Sequence, residues 1–198
     1  MQAQVFPDGT CHGGVYNDKR LEMEIIRPSD FTTTPWKNGG GVTHEIMRCQ
    51  GTARFVWRLS IAEVARSGSF SLFPGHRRCL TVIEGEGMEL VSPTRTLVAD
   101  LLSPVWFSGD EVIDGRLRGG ACRDFNVIFD PLAVTADVAV VNGSAAIAAS
   151  GDWRGAYVLN GSVTQDAQTA RAEEFAVLSG ESVAVSGLAL FITLTSVP

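Results

Sequence analysis

No stretch of this chain approaches the ~20 apolar residues of a membrane-spanning helix. Its N-terminal residues lack the basic region and apolar core of a secretory signal. Positive charge is not in excess, since 16 Lys+Arg stand against 22 Asp+Glu for a net charge of −6. Nucleic acid and anionic membrane surfaces favour a basic face, so neither is an expected partner. The 4 cysteines (Cys11, Cys49, Cys79 and Cys122) contain no C-x-x-C pair. That spacing excludes a zinc knuckle and a dense disulfide framework, and the four read as buried or partly buried free thiols in a reducing cytoplasm.

Motifs of covalent and cofactor chemistry are missing as well. There is no G-x-S-x-G nucleophile elbow. Gly85-Glu86-Gly87 lacks the third glycine and the helix start of a dinucleotide loop. The 3 histidines are His12, His44 and His76. A catalytic metal site usually takes three protein ligands. Arg78 stands where a second histidine would be wanted after His76, and His44 is alone on its strand, so neither a metal nor another cofactor is expected.

What is present is short strands. Hydrophobic residues make up 45% of the chain, enough for an ordered core. Phe55–Ile61 alternates, with Phe55, Trp57, Leu59 and Ile61 on one face and Val56, Arg58 and Ser60 on the other. Leu80–Ile83, Met88–Val91, Leu97–Leu101, Val105–Phe107 and Asp124–Phe129 continue the pattern between Gly and Pro turns. Glu84–Gly87 reads as a hairpin-like reversal. The Ala-rich stretch Ala133–Ala149 is broken by Val runs and Asn142-Gly143 into strand pieces instead of a helix. Regularly spaced strands of this kind predict an all-β sandwich or barrel. A weak internal repeat relates Leu80–Gly85 to Ala156–Gly161 and Val105–Val112 to Ala176–Val183, favouring two related β-units. The expected organisation is an N-terminal extension over 1–22, a first unit over 23–131 and a second, more apolar unit over 132–198.

The chemistry gathers in the first unit. Trp36-Lys37-Asn38-Gly39-Gly40-Gly41-Val42-Thr43-His44-Glu45 sets an aromatic, a cation, an amide and three glycines before a strand. Backbone N–H groups in such a turn can cradle an anion. Thr43 and Glu45 share one strand face, as do Arg58 and Ser60, His76 and Arg78, and Asp124 and Asn126. Such faces belong either to solvent or to the interior of a small barrel holding a ligand. Arg58 and Arg78 are suited to a carboxylate or similar planar anion. Glu45 and Asp124 either neutralise those arginines or receive a donor from the ligand.

The segments PWKNGGGVTHEI, FVWRLSIAEV, SGSFSLFPGHRR with LTVIEGEG, WFSGDEV and RDFNVIF, in this order, resemble the HutD/Ves family. The resemblance implies two cupin-like β-barrels, a bicupin, without the usual metal-binding histidines and with terminal strands crossing between barrels. It further implies a cytoplasmic protein that tunes bacterial histidine utilisation, with no established enzymatic activity. The implied partner is a small anionic metabolite of the formylglutamate, formiminoglutamate or urocanate type. Carried onto this chain, the ligand-binding candidates are Trp36, Lys37, Asn38, Thr43, Glu45, Arg58, Ser60, His76, Arg78, Asp124 and Asn126. His76 is the least constrained, because the Phe-Pro-Gly-x-x-Arg pattern needs only Phe73, Pro74, Gly75 and Arg78. The alternatives are an enzyme using Glu45 or Asp124 as general base, and a structural or homodimerisation module without a ligand.

Overall fold

Period-2 alternation and Gly/Pro punctuation build strands almost throughout the computed structural model, which describes residues 3–5, 11–13, 22–148, 150–179 and 182–198. The first half contains β1 (Ala3–Val5), β2 (Cys11–Gly13), β3 (Glu24–Ile26), β4 (Thr32–Pro35), β5 (Gly41–Gln50), β6 (Phe55–Val64), β7 (Gly68–Ser69), β8 (Arg77–Glu84) and β9 (Met88–Val91). Next come β10 (Thr96–Ala99), β11 (Val105–Ser108), β12 (Asp114–Leu117) and β13 (Cys122–Phe129). The last stretch holds β14 (Val134–Ala148), β15 (Trp153–Gln165), β16 (Gln168–Arg171), β17 (Phe175–Leu178) and β18 (Ser182–Ser196). A 3-10 turn at Pro28–Asp30 is the helical element among the described residues. The protein is all-β, and no described helix is long and apolar enough to cross a membrane.

The chain forms two compact units. One comprises Thr32–Arg48 and Trp57–Pro131. It contains a six-stranded sheet in the order β11-β8-β13-β6-β5-β4 and a four-stranded sheet in the order β10-β9-β12-β7. Ala62, Val64, Leu80, Val82 and Cys122 from the larger sheet pack with Met88, Leu90 and Ala99 from the smaller, giving one apolar core. Each order runs from edge to edge, and no described pairing closes either sheet on itself.

The other unit joins Met1–Phe31, Cys49–Val56 and Leu132–Pro198. Its strands run β14-β18-β15-β17-β3, with β16 added to β15. Ala156, Val158, Ala176, Leu178, Val185 and Ala189 centre its core. Glu24–Ile26 pairs with β17, so the residues just after Met23 join this unit and not the first, where the sequence pattern put them.

Other expectations change in instructive ways. Glu84–Gly87 does not join paired strands: β8 lies in the six-stranded sheet, while β9 pairs with β10 and β12. The turn carries the chain from one sheet to the other. Val134–Ala148 is one continuous strand in register with Ser182–Ser196, because Val–Ala alternation there meets a long apolar partner. The internal repeat has a structural counterpart. Leu80 lies opposite Val105, and Ala156, its repeat equivalent, lies opposite Ala176. Cys79 and Cys122 are buried free thiols. Cys49 is disulfide-bonded, which corrects the free-thiol expectation there, and the Cys11 side chain lies outside the described residues. Most of 1–22 lies outside them too, apart from the paired backbones of β1 and β2.

Candidate functional site

The glycine turn is fastened from within. Trp36 N–H donates to Gly41 O at 2.9 Å, and Gly39 N–H to Trp36 O at 2.9 Å. Gly40 N–H donates to Asn38 Oδ1 at 2.9 Å, while Gly40 O accepts from Ala65 N–H at 2.9 Å. Gly39 has φ +66°, and a Cβ at Gly41 would stand 2.3 Å from Glu63 O. Left-handed backbone at one position and close approach to β6 at the other account for two glycines. The N–H groups of Gly39 and Gly40 are used internally, so the turn is not the anion cradle its composition suggested. Its role is to carry side chains: Trp36 Nε1 donates to Thr43 Oγ1 at 2.8 Å, and Lys37 and Asn38 sit exposed beside it.

The polar floor comes from alternation on three neighbouring strands. Across β6, β13 and β8, Ile128 lies opposite both Arg58 and Arg78. The next row is Ser60, Asn126 and Leu80, and the third is Ala62, Asp124 and Val82. One face of one sheet therefore runs from two arginines, through Ser60 and Asn126, to a buried carboxyl set between Ala62 and Val82. Its reverse face, with Trp57, Leu59, Ile61, Phe125 and Val127, is buried as well, so the polar residues do not mark a solvent face.

Arg78, Asn126 and Asp124 form a directed chain. Arg78 Nη2 donates to Asn126 Oδ1 at 2.7 Å, and Asn126 Nδ2 donates to Asp124 Oδ1. The Arg78 guanidinium lies over Phe70, Phe73 and Phe107, with 5.2, 5.3 and 4.9 Å to the ring centroids. Burial lowers its pKa to about 10 against the upward pull of Asp124, so it remains a cation at neutral pH. Asp124 is 0% exposed, and burial pushes its carboxyl up to about 7 although Arg78 and Asn126 pull it down. Arg78 Nε and Asp124 Oδ2 are buried without a hydrogen-bond partner among the described residues. Native interiors rarely leave such atoms unsatisfied.

These groups border a cavity of about 550 Å³, within the roughly 300–1,000 Å³ of small-molecule sites. Of the predicted residues, Trp36, Lys37, Asn38 and Thr43 line it from the turn and β5. Arg58, Ser60, Arg78, Asp124 and Asn126 line it from the floor. Glu45 stands behind the lining, where Oε2 meets Arg58 Nε at 2.7 Å and Oε1 meets Arg48 Nε at 3.5 Å. His76 is buried outside the lining, its Nδ1 3.1 Å from Pro74 O. His44 faces the other way, with Nδ1 2.9 Å from Thr33 Oγ1 and Nε2 3.3 Å from Glu63 Oε1. Among the described residues no group of three or more His, Cys, Asp or Glu side chains is gathered as a metal set.

Sequence reasoning missed the aromatic wall. Phe70, Ser71 and Phe73 line the cavity from the β7–β8 loop beside Ser69 of β7, and Thr34, Pro35, Ala62 and Ile128 complete it. Loop residues follow no strand period, so alternation could not assign them. The available signal was two phenylalanines just before Pro74-Gly75 and an arginine-bearing strand.

A family model described as HutD matches residues 28–192. An uncharacterized 21.2 kDa protein in the hutC 3′ region of Pseudomonas putida is 44% identical over 115 residues. That match covers 56% of this chain and 60% of the relative, under two thirds of its length. Among solved structures, HutD from Pseudomonas fluorescens SBW25 (formate condition) is 33% identical with a TM-score of 0.81, covering 89% of this chain and 100% of that one. A conserved protein of unknown function from Pseudomonas aeruginosa PAO1 is 30% identical with a TM-score of 0.79, covering 88% and 100%. A bacterial pirin from Escherichia coli, solved in complex with nickel(II), shares the fold alone, at 8% identity and a TM-score of 0.63 over 89% and 99% of the two chains.

Proposed function

Because this chain belongs to the HutD family, we propose that it is a metal-independent binding protein that tunes histidine utilisation by holding a small anionic catabolite of that pathway. The observation that carries this reading is the cavity beside Arg58 and Arg78, with an unpartnered donor on Arg78 and an unpartnered acceptor on Asp124. Lys37 and Arg58 would receive a carboxylate, Phe70 and Phe73 would cover its carbon skeleton, and Ser60 and Asn126 would fix its orientation. The pathway assignment draws on the family and on the hutC-region position of the Pseudomonas putida relative.

The same reading takes each unit as one cupin-like barrel of a bicupin. The shared register of Leu80–Val105 and Ala156–Ala176 supports that kinship. A cytoplasmic setting is part of the proposal. The buried thiols Cys79 and Cys122 support it, and the Cys49 disulfide is the feature it has to accommodate.

A thermal-shift panel of N-formyl-L-glutamate, N-formimino-L-glutamate and urocanate, with and without chelator, tests it. A ligand at ~100 Kd adds roughly 2.7 kcal/mol. No stabilisation by any of the three would overturn the binding role, and a chelator effect would overturn metal independence.

One observation favours a second reading, an enzyme with Asp124 as general base: its carboxyl is raised to about 7, where such groups work best. Glu45, held by Arg58, is the weaker candidate. Turnover of either glutamate derivative by the pure protein, abolished in Asp124→Asn, would establish it.

A further inference from the structure

The hydrogen-bond chain on the cavity floor fixes where a proton sits. A guanidinium only donates, so the Asn126 group facing Arg78 is its oxygen, at 2.7 Å from Nη2. The amide nitrogen is thereby turned to Asp124 and donates to Oδ1. With Oδ1 committed as an acceptor, a proton on this carboxyl resides on Oδ2. That oxygen is buried, has no hydrogen-bond partner among the described residues, and belongs to a residue lining the cavity.

Charged groups face Asp124 from several elements. Arg78 reaches it from β8 through Asn126, and Arg58 lines the same cavity from β6. Lys37 lies at the rim in the β4–β5 turn, and Glu45 of β5 stands behind Arg58 at 2.7 Å. On its own strand, Cys122 is a neutral thiol, pushed up to about 12 by burial and by Asp124. The remaining polar lining from β5, β6 and the β7–β8 loop is hydroxyl groups, and neither His44 nor His76 is part of it. An anion brought into this space meets the Asp124 carboxylate as a like charge at low dielectric, which favours the protonated acid.

Resting on the reading of this cavity as an anion site, we propose that it takes its ligand together with one proton from solvent, carried on Asp124 Oδ2, which then donates a hydrogen bond to an oxygen of the ligand. The raised carboxyl of Asp124 supports this, since the free protein then stands close to the protonation change at neutral pH. The ligand class narrows accordingly. A carboxylate whose far end presents an oxygen acceptor, such as an N-acyl carbonyl, fits the acid form. A cationic amidine at that end would require the ionised form and release a proton instead.

Isothermal titration calorimetry of the whole protein at pH 8, in phosphate and in Tris, reads the coupling directly. N-formyl-L-glutamate is expected to bind with uptake of close to one proton, and its affinity to fall by up to about tenfold per pH unit above neutrality. N-formimino-L-glutamate, whose amidine is cationic, is expected to bind without proton uptake. Asp124→Asn keeps a neutral group of the same shape, and its affinity for N-formyl-L-glutamate should be the same from pH 6 to pH 9. Carbon-13 NMR of the aspartate carboxyls in the unsubstituted protein needs no variant: Asp124 should titrate near neutrality and move higher with ligand bound. Binding with buffer-independent heats, proton release with the formyl compound, or an Asp124 that titrates like an exposed aspartate would each overturn the coupling and leave the anion site standing. No binding of either probe would overturn both.

Discussion

The side-chain amide of Asn126 donates to Oδ1 of Asp124, so one residue of an alternating strand sets the chemistry of another two positions earlier. The bond leaves Oδ2 as the buried carboxyl oxygen without a hydrogen-bond partner among the described residues. It also transmits the position of Arg78, which holds the other end of the Asn126 amide at 2.7 Å. Arg78 and Asp124 are thus coupled through an intermediate that fixes both orientations.

Asp124→Asn should change how stability depends on pH. The folded carboxyl stands near 7, against about 3.9 for an unfolded aspartate. Between those values the folded state binds the extra proton. The stability tied to that proton is therefore fully present below about pH 4 and lost as pH rises to about 7. Denaturation midpoints of the parent protein should fall relative to Asp124→Asn across that window and run parallel above it. A relative gain for the parent with rising pH would contradict the burial of this carboxyl.

Arg58 and Arg78 should separate binding from folding. The Arg58 side chain is 20% exposed and pairs with Glu45, 22% exposed, so Arg58→Ala should alter stability by no more than about 1 kcal/mol. Its effect on ligand affinity should be larger, roughly 1.5–3 kcal/mol for a lost charge-assisted contact. Arg78 is buried under three aromatic rings and holds Asn126. Arg78→Ala should cost stability as well as affinity, on the order of 2–3 kcal/mol. Chemical denaturation alongside calorimetry of both variants checks the split.

Gly41→Ala should be worse than Gly39→Ala. At Gly39 an alanine must adopt φ +66°, a cost of about 1 kcal/mol. At Gly41 the new Cβ meets backbone, 2.3 Å from Glu63 O, and the turn must shift from β6 at roughly 1–3 kcal/mol. Because Lys37 and Asn38 line the cavity from this turn, ligand affinity should fall with Gly41→Ala. Melting temperature and affinity measured together test the link.

Trp36→Phe keeps an aromatic ring and removes the donor to Thr43 Oγ1 at 2.8 Å. The expected loss is about 1 kcal/mol of stability with a few-fold loss of affinity. A variant matching the parent in both would show that the indole N–H does not anchor the turn.

Much of the site's membership was legible as faces. Arg58 with Ser60 and Asp124 with Asn126 fall on shared faces because alternation is a property of any extended strand. Glu45 shares its face with Thr43 by the same rule, yet Arg58 and Arg48 hold it behind the lining. His76 shares its face with Arg78 in sequence, but β8 begins at Arg77, so the alternation does not extend back to it. Phe70, Phe73 and Phe107 come from a loop and a neighbouring strand, and only their packing on Arg78 reveals their part.

The sequence by itself determined that the chain is all-β, where its polar pairs alternate, and which family it belongs to, because alternation, turn residues and ordered motifs are local properties. Tertiary structure decided that Glu84–Gly87 passes between sheets instead of closing a hairpin. It also decided that the polar face is an interior one, and that Asp124 sits at its buried end with one oxygen committed to Asn126. Those outcomes depend on the register of β6, β8 and β13. Pairing between segments so far apart in the chain sets burial, and burial sets the charge on Asp124.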